Sequence, residues 1–94
     1  MNINIHNGPH GRVVTICDSN LLGKTFTEGK IVLNVSERFY KGEEKTEQEI
    51  LSMITDDDVL NIVGEESCNF AIKHNLVDKD NVKKIGGVPH AQVF

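Results

Sequence analysis

The side chains able to form a site are four histidines, two cysteines and scattered lysines, and two of the histidines sit in matching surroundings. Gly8-Pro9-His10-Gly11 and Gly86-Gly87-Val88-Pro89-His90 both place glycine ahead of a Pro-His pair. Glycine permits positive φ and close approach by another backbone or a phosphate, while proline fixes φ and removes an N–H. Such a loop can aim backbone N–H groups at an anion, with a histidine alongside. Lys83 and Lys84 precede the second loop, Arg12 follows the first, and Lys24 lies in a Gly-Lys-Thr segment. The candidates for binding an anion or nucleic acid are therefore Arg12, Lys24, Lys83, Lys84, Gly86, Gly87 and His90. Glycine and proline are equally the means by which any hairpin turns.

Other arrangements are weaker. Leu22-Gly23-Lys24-Thr25 lacks the glycine five residues before Gly23 that a phosphate-wrapping loop needs; Asp18 stands there instead. Asp56-Asp57-Asp58 are adjacent, whereas a calcium loop spaces its carboxylates at alternate positions, so a solvated turn is expected. No Cys-x-x-Cys or His-x-x-x-His spacing marks a zinc site, and neither a metal nor a cofactor is expected. Nothing local activates Cys17 or Cys68 as a nucleophile beside His10 or His90, so no catalytic residue is assigned. Phe70 lies about 160° around the helical wheel from Cys68, with His74 one turn on. Either a second layer covers that side, or Phe70 and His74 contact a partner.

The elements that must hold these residues follow from hydrophobic period and punctuation. Ile3 and Ile5 alternate with polar residues, and Arg12–Cys17 is β-branched, which together read as a hairpin with a five-residue loop. A third strand is expected at Ile31–Val35, then a short turn capped by Ser36 and holding Phe39 and Tyr40. Thr46 and Glu49 form a capping box opening a helix whose buried face is Ile50, Leu51, Met53 and Ile54. Val59–Val63 fits a strand or a helical turn. A second helix, about Glu65 to Asn75, carries the stripe Cys68, Ala71, Ile72 and Leu76. Strands at Val82–Ile85 and Pro89–Phe94 close the chain. The expectation is one α+β domain over residues 1–94, a mainly antiparallel sheet of about five strands with two principal helices.

Composition narrows the partners. Ninety-four residues hold one core and little more, and a net charge of −4 argues against a strongly basic nucleic-acid binder. The acidity is confined: residues 43–66 carry nine acids against Lys45, while each flanking segment is positive by two. All four histidines lie outside the acidic stretch, so one face can be neutral to basic. No run approaches the roughly 18 apolar residues of a membrane span, and no leader pattern opens the chain. A cytoplasmic protein with reduced thiols and no membrane partner is expected; oligomeric state is not legible.

Leu22-Gly23-Lys24-Thr25-Phe26, Asn61-Ile62-Val63-Gly64-Glu65, Leu76-Val77-Asp78 and Ile85-Gly86-Gly87-Val88-Pro89-His90-Ala91-Gln92 together resemble the archaeal domain-of-unknown-function family 424. The resemblance spans essentially the whole chain, and its final octet is the most specific part. Asn75 stands where the pattern expects a helix-ending glycine, a geometry Asn also adopts. The resemblance implies an archaeal cytoplasmic protein without an established activity, connected with translation, and it makes Gly86–His90 a hallmark of the family. The leading expectation is a non-enzymatic RNA- or ribosome-associated module. The alternatives are an enzyme or anion binder built from both Gly/Pro/His loops, and a protein-interaction domain exposing Phe39, Tyr40 or Phe70.

Overall fold

A computed structural model describes residues 1–94. Strands β1 (Asn2–Gly8) and β2 (Gly11–Cys17) pair antiparallel over their full length, Gly8 opposite Gly11. The expected five-residue loop is thus a two-residue turn, Pro9-His10. Asn7 and Gly8 stay in the ladder, and Gly11 takes the φ of +119° that lets β2 begin at once. A second hairpin follows, β3 (Thr25–Glu28) with β4 (Ile31–Asn34). Its first strand escaped sequence reading because Phe26 is the lone apolar residue in Thr-Phe-Thr-Glu.

Ser36 caps the short helix α1 (Glu37–Tyr40) as expected, and β5 (Glu43–Glu44) adds an edge to β1. Helix α2 (Glu47–Met53) opens with the Thr46–Glu49 capping box, both reciprocal bonds being present. Val59–Val63 is strand β6 and runs parallel to β2. Parallel neighbours need a long crossover, and residues 18–58 supply it. Helix α3 (Glu65–Lys73) then leads to β7 (Lys83–Ile85) and β8 (Val88–Val93). Asn75, at φ +57°, ends α3 in a Schellman motif: the Leu76 N–H donates to Ala71 O and the Asn75 N–H to Ile72 O.

The result is a mixed six-stranded sheet, β5-β1-β2-β6-β8-β7, with the two-stranded β3–β4 beside it, in an α+β fold. Strand side chains alternate between faces, so each face has its own core. Ile3, Val14, Ile16, Leu60, Ile62 and Ala91 pack on one face against α2 and α3 through Ile50, Cys68 and Phe70. On the other, Cys17, Val63 and Ile85 meet Leu33, Val35 and Tyr40 from the β3–β4 hairpin and α1. Coverage on both sides explains why β2 and β6 read as nearly continuous apolar runs. Thr15 and Asn61 are the polar exceptions, neighbours in register on the second face.

Candidate nucleic-acid interface

The Gly86–His90 segment separates into two parts. Gly86 and Gly87 form the two-residue turn between Ile85 and Val88, at φ +57° and +83°. Positive φ at both central positions matches a type I′ hairpin, where glycine is favoured. Gly86 also packs on the β3–β4 hairpin: a Cβ there would lie 2.9 Å from Thr27 O. Its N–H donates to Glu28 Oε1 (3.0 Å), so it meets an anion of its own chain. Pro89 is tolerated in β8 because its nitrogen faces away from β7 and lies just beyond the end of the β6–β8 pairing at Val63–His90. There the Gly64 carbonyl already accepts from the Cys68 N–H, while the Pro89 carbonyl accepts from the Gly64 N–H (2.9 Å).

His90 is held in place. Its Nε2 lies 3.1 Å from Asn61 Oδ1, which also accepts from the Tyr40 hydroxyl at 3.1 Å. With a carbonyl oxygen as partner, Nε2 carries the proton and Nδ1 is left as an acceptor. Burial lowers the His90 pKa, which favours that neutral form, and burial likewise raises the Tyr40 pKa. Register places Lys83 opposite His90, on the same face, with Gln92 two residues along that face. These three side chains border a shallow hollow of about 330 Å³. Sequence reasoning named His90, set Asn61 beside it only as part of a pocket shared with His10, and read Tyr40 as an exposed partner contact; the shared bond that joins the three was not foreseen.

The remaining candidates scatter. Arg12 is a structural clamp at the far end of β2, its Nε and Nη2 donating to Asp58 Oδ1 and Oδ2 (2.9 and 2.8 Å) and Nη2 also to Met53 O (2.8 Å). Those bonds hold the Asp58 carboxyl down at about 2, so the third residue of the acidic triplet is a buried partner rather than a solvated one. Lys24 is exposed at the base of the β3–β4 hairpin, whereas Gly86 meets residues 27 and 28 toward its tip. Lys83 and Lys84 project to opposite faces of β7, as their neighbours His90 and Pro89 require. His10 precedes β2 while His90 reaches, through Val63, the register of Cys17 at its other end, so the two Gly/Pro/His loops do not make one pocket.

Phe70 must be corrected outright as a partner contact. It is 3 % exposed in the same core as Ile50 of α2, because α2 provides the second layer on that flank of α3. His74 is half-buried against its ring (5.1 Å), with Nε2 3.4 Å from Glu47 Oε1. Tyr40 is buried, and Phe39 is stacked on His6 at 4.7 Å, so the expected aromatic patch is absent; the exposed large apolar residues are Ile31, Val32 and Phe94. Burial raises both cysteines to about 12, leaving neither Cys17 nor Cys68 a thiolate to attack with.

One further anion-binding position is filled from within. The N-terminus of α3 follows β6 at the carboxyl ends of the parallel pair, a place where free N–H groups attract anions. Asp18 occupies it, accepting from the N–H of Glu66 (3.0 Å) and of Ser67 (2.8 Å) and from the Ser67 hydroxyl (2.7 Å). Gly64, at φ +111°, is required there because a Cβ would collide with the Asp18 carboxylate.

Comparison with curated proteins gives no match. Among solved structures, an uncharacterized conserved protein from Methanopyrus kandleri is similar: 29 % identity, TM-score 0.80, covering 98 % of this chain and 88 % of the other. The family profile described as Protein of unknown function (DUF424) matches residues 5–94, from within β1 through β8. The chain belongs to that family.

Proposed function

We propose that the protein is a non-enzymatic RNA-binding module that meets its partner along the β7 edge of the sheet. The observation that carries this reading is the state of the lysines there. Arg12, Lys45 and Lys73 are in ion pairs, whereas Lys83 and Lys84 are not. They share that state with Lys24, Lys30, Arg38, Lys41 and Lys79, and what sets them apart is that they flank the two faces of a short edge strand. Lysines on an edge also deter strand addition, which is their minimal role. What raises the reading above that is His90 beside Lys83, fixed by Asn61 with a ring acceptor free to take a hydroxyl. A 2′-hydroxyl is such a donor, and it is what distinguishes RNA from DNA. The protonated, buried cysteines and the separation of His10 from His90 favour binding over catalysis. A place in archaeal translation, on the ribosome, belongs to the same proposal.

The test is binding to single-stranded RNA, and to ribosomal subunits, across a salt series. Each lost phosphate contact should flatten the log–log salt dependence by about 0.7. The Lys83→Ala/Lys84→Ala double variant should therefore bind more weakly and with a shallower slope. Binding indifferent to both salt and substitution, or none at low salt, rejects the proposal.

A further inference from the structure

On the α3 side of the β7–β8 hairpin lies a groove of about 320 Å³, distinct from the His90 hollow, at the small end of the range for small-molecule sites. Its floor is apolar, with Ile72 of α3 and the Pro89 ring among the lining residues. Its rim carries two unpaired ammonium groups, Lys79 and Lys84. Gly87 also lines it, and the Gly87 N–H, unlike that of Gly86, has no partner in the chain. Glu65 and Asn69, four residues apart on one face of α3, complete the rim.

The combination is selective. A dianionic phosphate is matched by Lys84, Lys79 and a free backbone N–H. A flat ring suits the apolar floor. Glu65 is an acceptor only, while Asn69 offers both a donor pair and an acceptor. A carboxylate is the partner of an exocyclic amino group, as on cytosine, and repels the carbonyl oxygen that uracil carries in its place. We infer that this groove takes a single unstacked nucleotide with an amino-bearing base, cytosine or adenine, its phosphate on Lys84 and Gly87 and its base between Glu65 and Asn69. The inference rests on the RNA reading and specifies it: a strand crossing the β7 edge from Lys83 to Lys84 would drop one base into the groove.

The test is amide-resolved NMR titration of the intact protein with CMP, UMP and inorganic phosphate. CMP should shift the Glu65, Asn69 and Gly87 amides and bind at least about fivefold more tightly than UMP, the lower end of a single base-edge discrimination. Glu65→Gln, an exposed substitution, should bring the CMP/UMP ratio toward one, and Lys84→Ala should weaken both nucleotides alike. Silence of those amides at millimolar CMP, or equal response to CMP, UMP and phosphate alone, overturns the inference. If RNA still binds with Lys83-dependent salt sensitivity while CMP is silent, the groove fails and the β7-edge reading stands. If CMP binds selectively but RNA does not bind, the RNA reading fails and the groove is a free-nucleotide site.

Discussion

The two Gly/Pro/His segments are nearly alike in composition and opposite in use. In the first, proline and histidine are the turn: Pro9 and His10 sit between paired Gly8 and Gly11, and His10 is exposed. In the second, the glycines are the turn and Pro89-His90 belong to β8, which puts His90 in register with Lys83 and Val63 and within bonding distance of Asn61. The difference is a shift of the same residue types relative to the reversal point. A histidine in a strand has a face, a register and neighbours that fix its tautomer; a histidine in a two-residue turn has solvent. Pro-His as a dipeptide therefore carries little information until the turn is located.

The comparison breaks most sharply at the glycines. Gly86→Ala forces a left-handed alanine against Thr27 O, at 2.9 Å, and disturbs the hairpin docked on it. We expect a loss of about 2–3 kcal/mol in chemical denaturation, more than the left-handed penalty of about 1–2 kcal/mol alone. Gly8→Ala has no positive φ and an ordinary 3.4 Å contact, so its effect should lie within about 0.5 kcal/mol. A Gly86→Ala loss no larger than the left-handed penalty of about 1–2 kcal/mol would show that docking on β3–β4 contributes nothing.

Asn61→Ala removes the shared acceptor of Tyr40 and His90 and should cost about 1–3 kcal/mol. It should also release the His90 ring, read as a change in its NMR tautomer signature. In the intact protein the His90 pKa is lowered, so the fold favours the neutral ring. Its contribution is present above the unfolded histidine value of about 6.5 and is lost as pH falls through the lower folded value. Because burial is what lowers the His90 pKa, Asn61→Ala should diminish that component only as far as the released ring gains solvent.

The first hairpin has its own titration. Arg12 holds Asp58 at about 2, below the usual carboxylate value of about 3.9. The stability it adds is complete above the unfolded value and disappears as pH falls from there toward about 2. Arg12→Ala should lower stability at neutral pH and flatten the acid limb of the unfolding curve. An unchanged acid limb would mean the pair is not what the low pH breaks.

Much of this fold was legible where local chemistry decides. The Thr46–Glu49 capping box, the Ser36 cap and the Cys68-Ala71-Ile72 stripe each specify an element by themselves. The parallel placement of β6 was not legible, because whether Val59–Val63 is a strand depends on β2 and β8 lying either side of it. Nor was the candidate site complete. Asn61 matters through Tyr40, 21 residues away in sequence, and Arg12 was lost to Asp58, 46 residues away. Lys83 and Lys84 are a different case: the strand at Val82–Ile85 was legible, and its alternation already sends adjacent charges to opposite faces, so grouping both lysines at one anion overlooked a consequence of the element itself.

The smallest expected effect completes the comparison. His10→Ala touches no partner in the fold and should change stability by less than about 0.5 kcal/mol. It should also leave RNA affinity and its salt slope unchanged, since the β1–β2 turn lies at the opposite end of β2 from the register of His90. Lys83→Ala should be equally silent in denaturation, being an exposed lysine outside any ion pair, yet should weaken RNA binding. The pair thus separates position from charge: both residues are exposed, neither supports the core, and only one borders His90. If His10→Ala weakens binding as much as Lys83→Ala, the contact surface extends over both ends of the sheet, and the β7 edge loses its claim to be the interface.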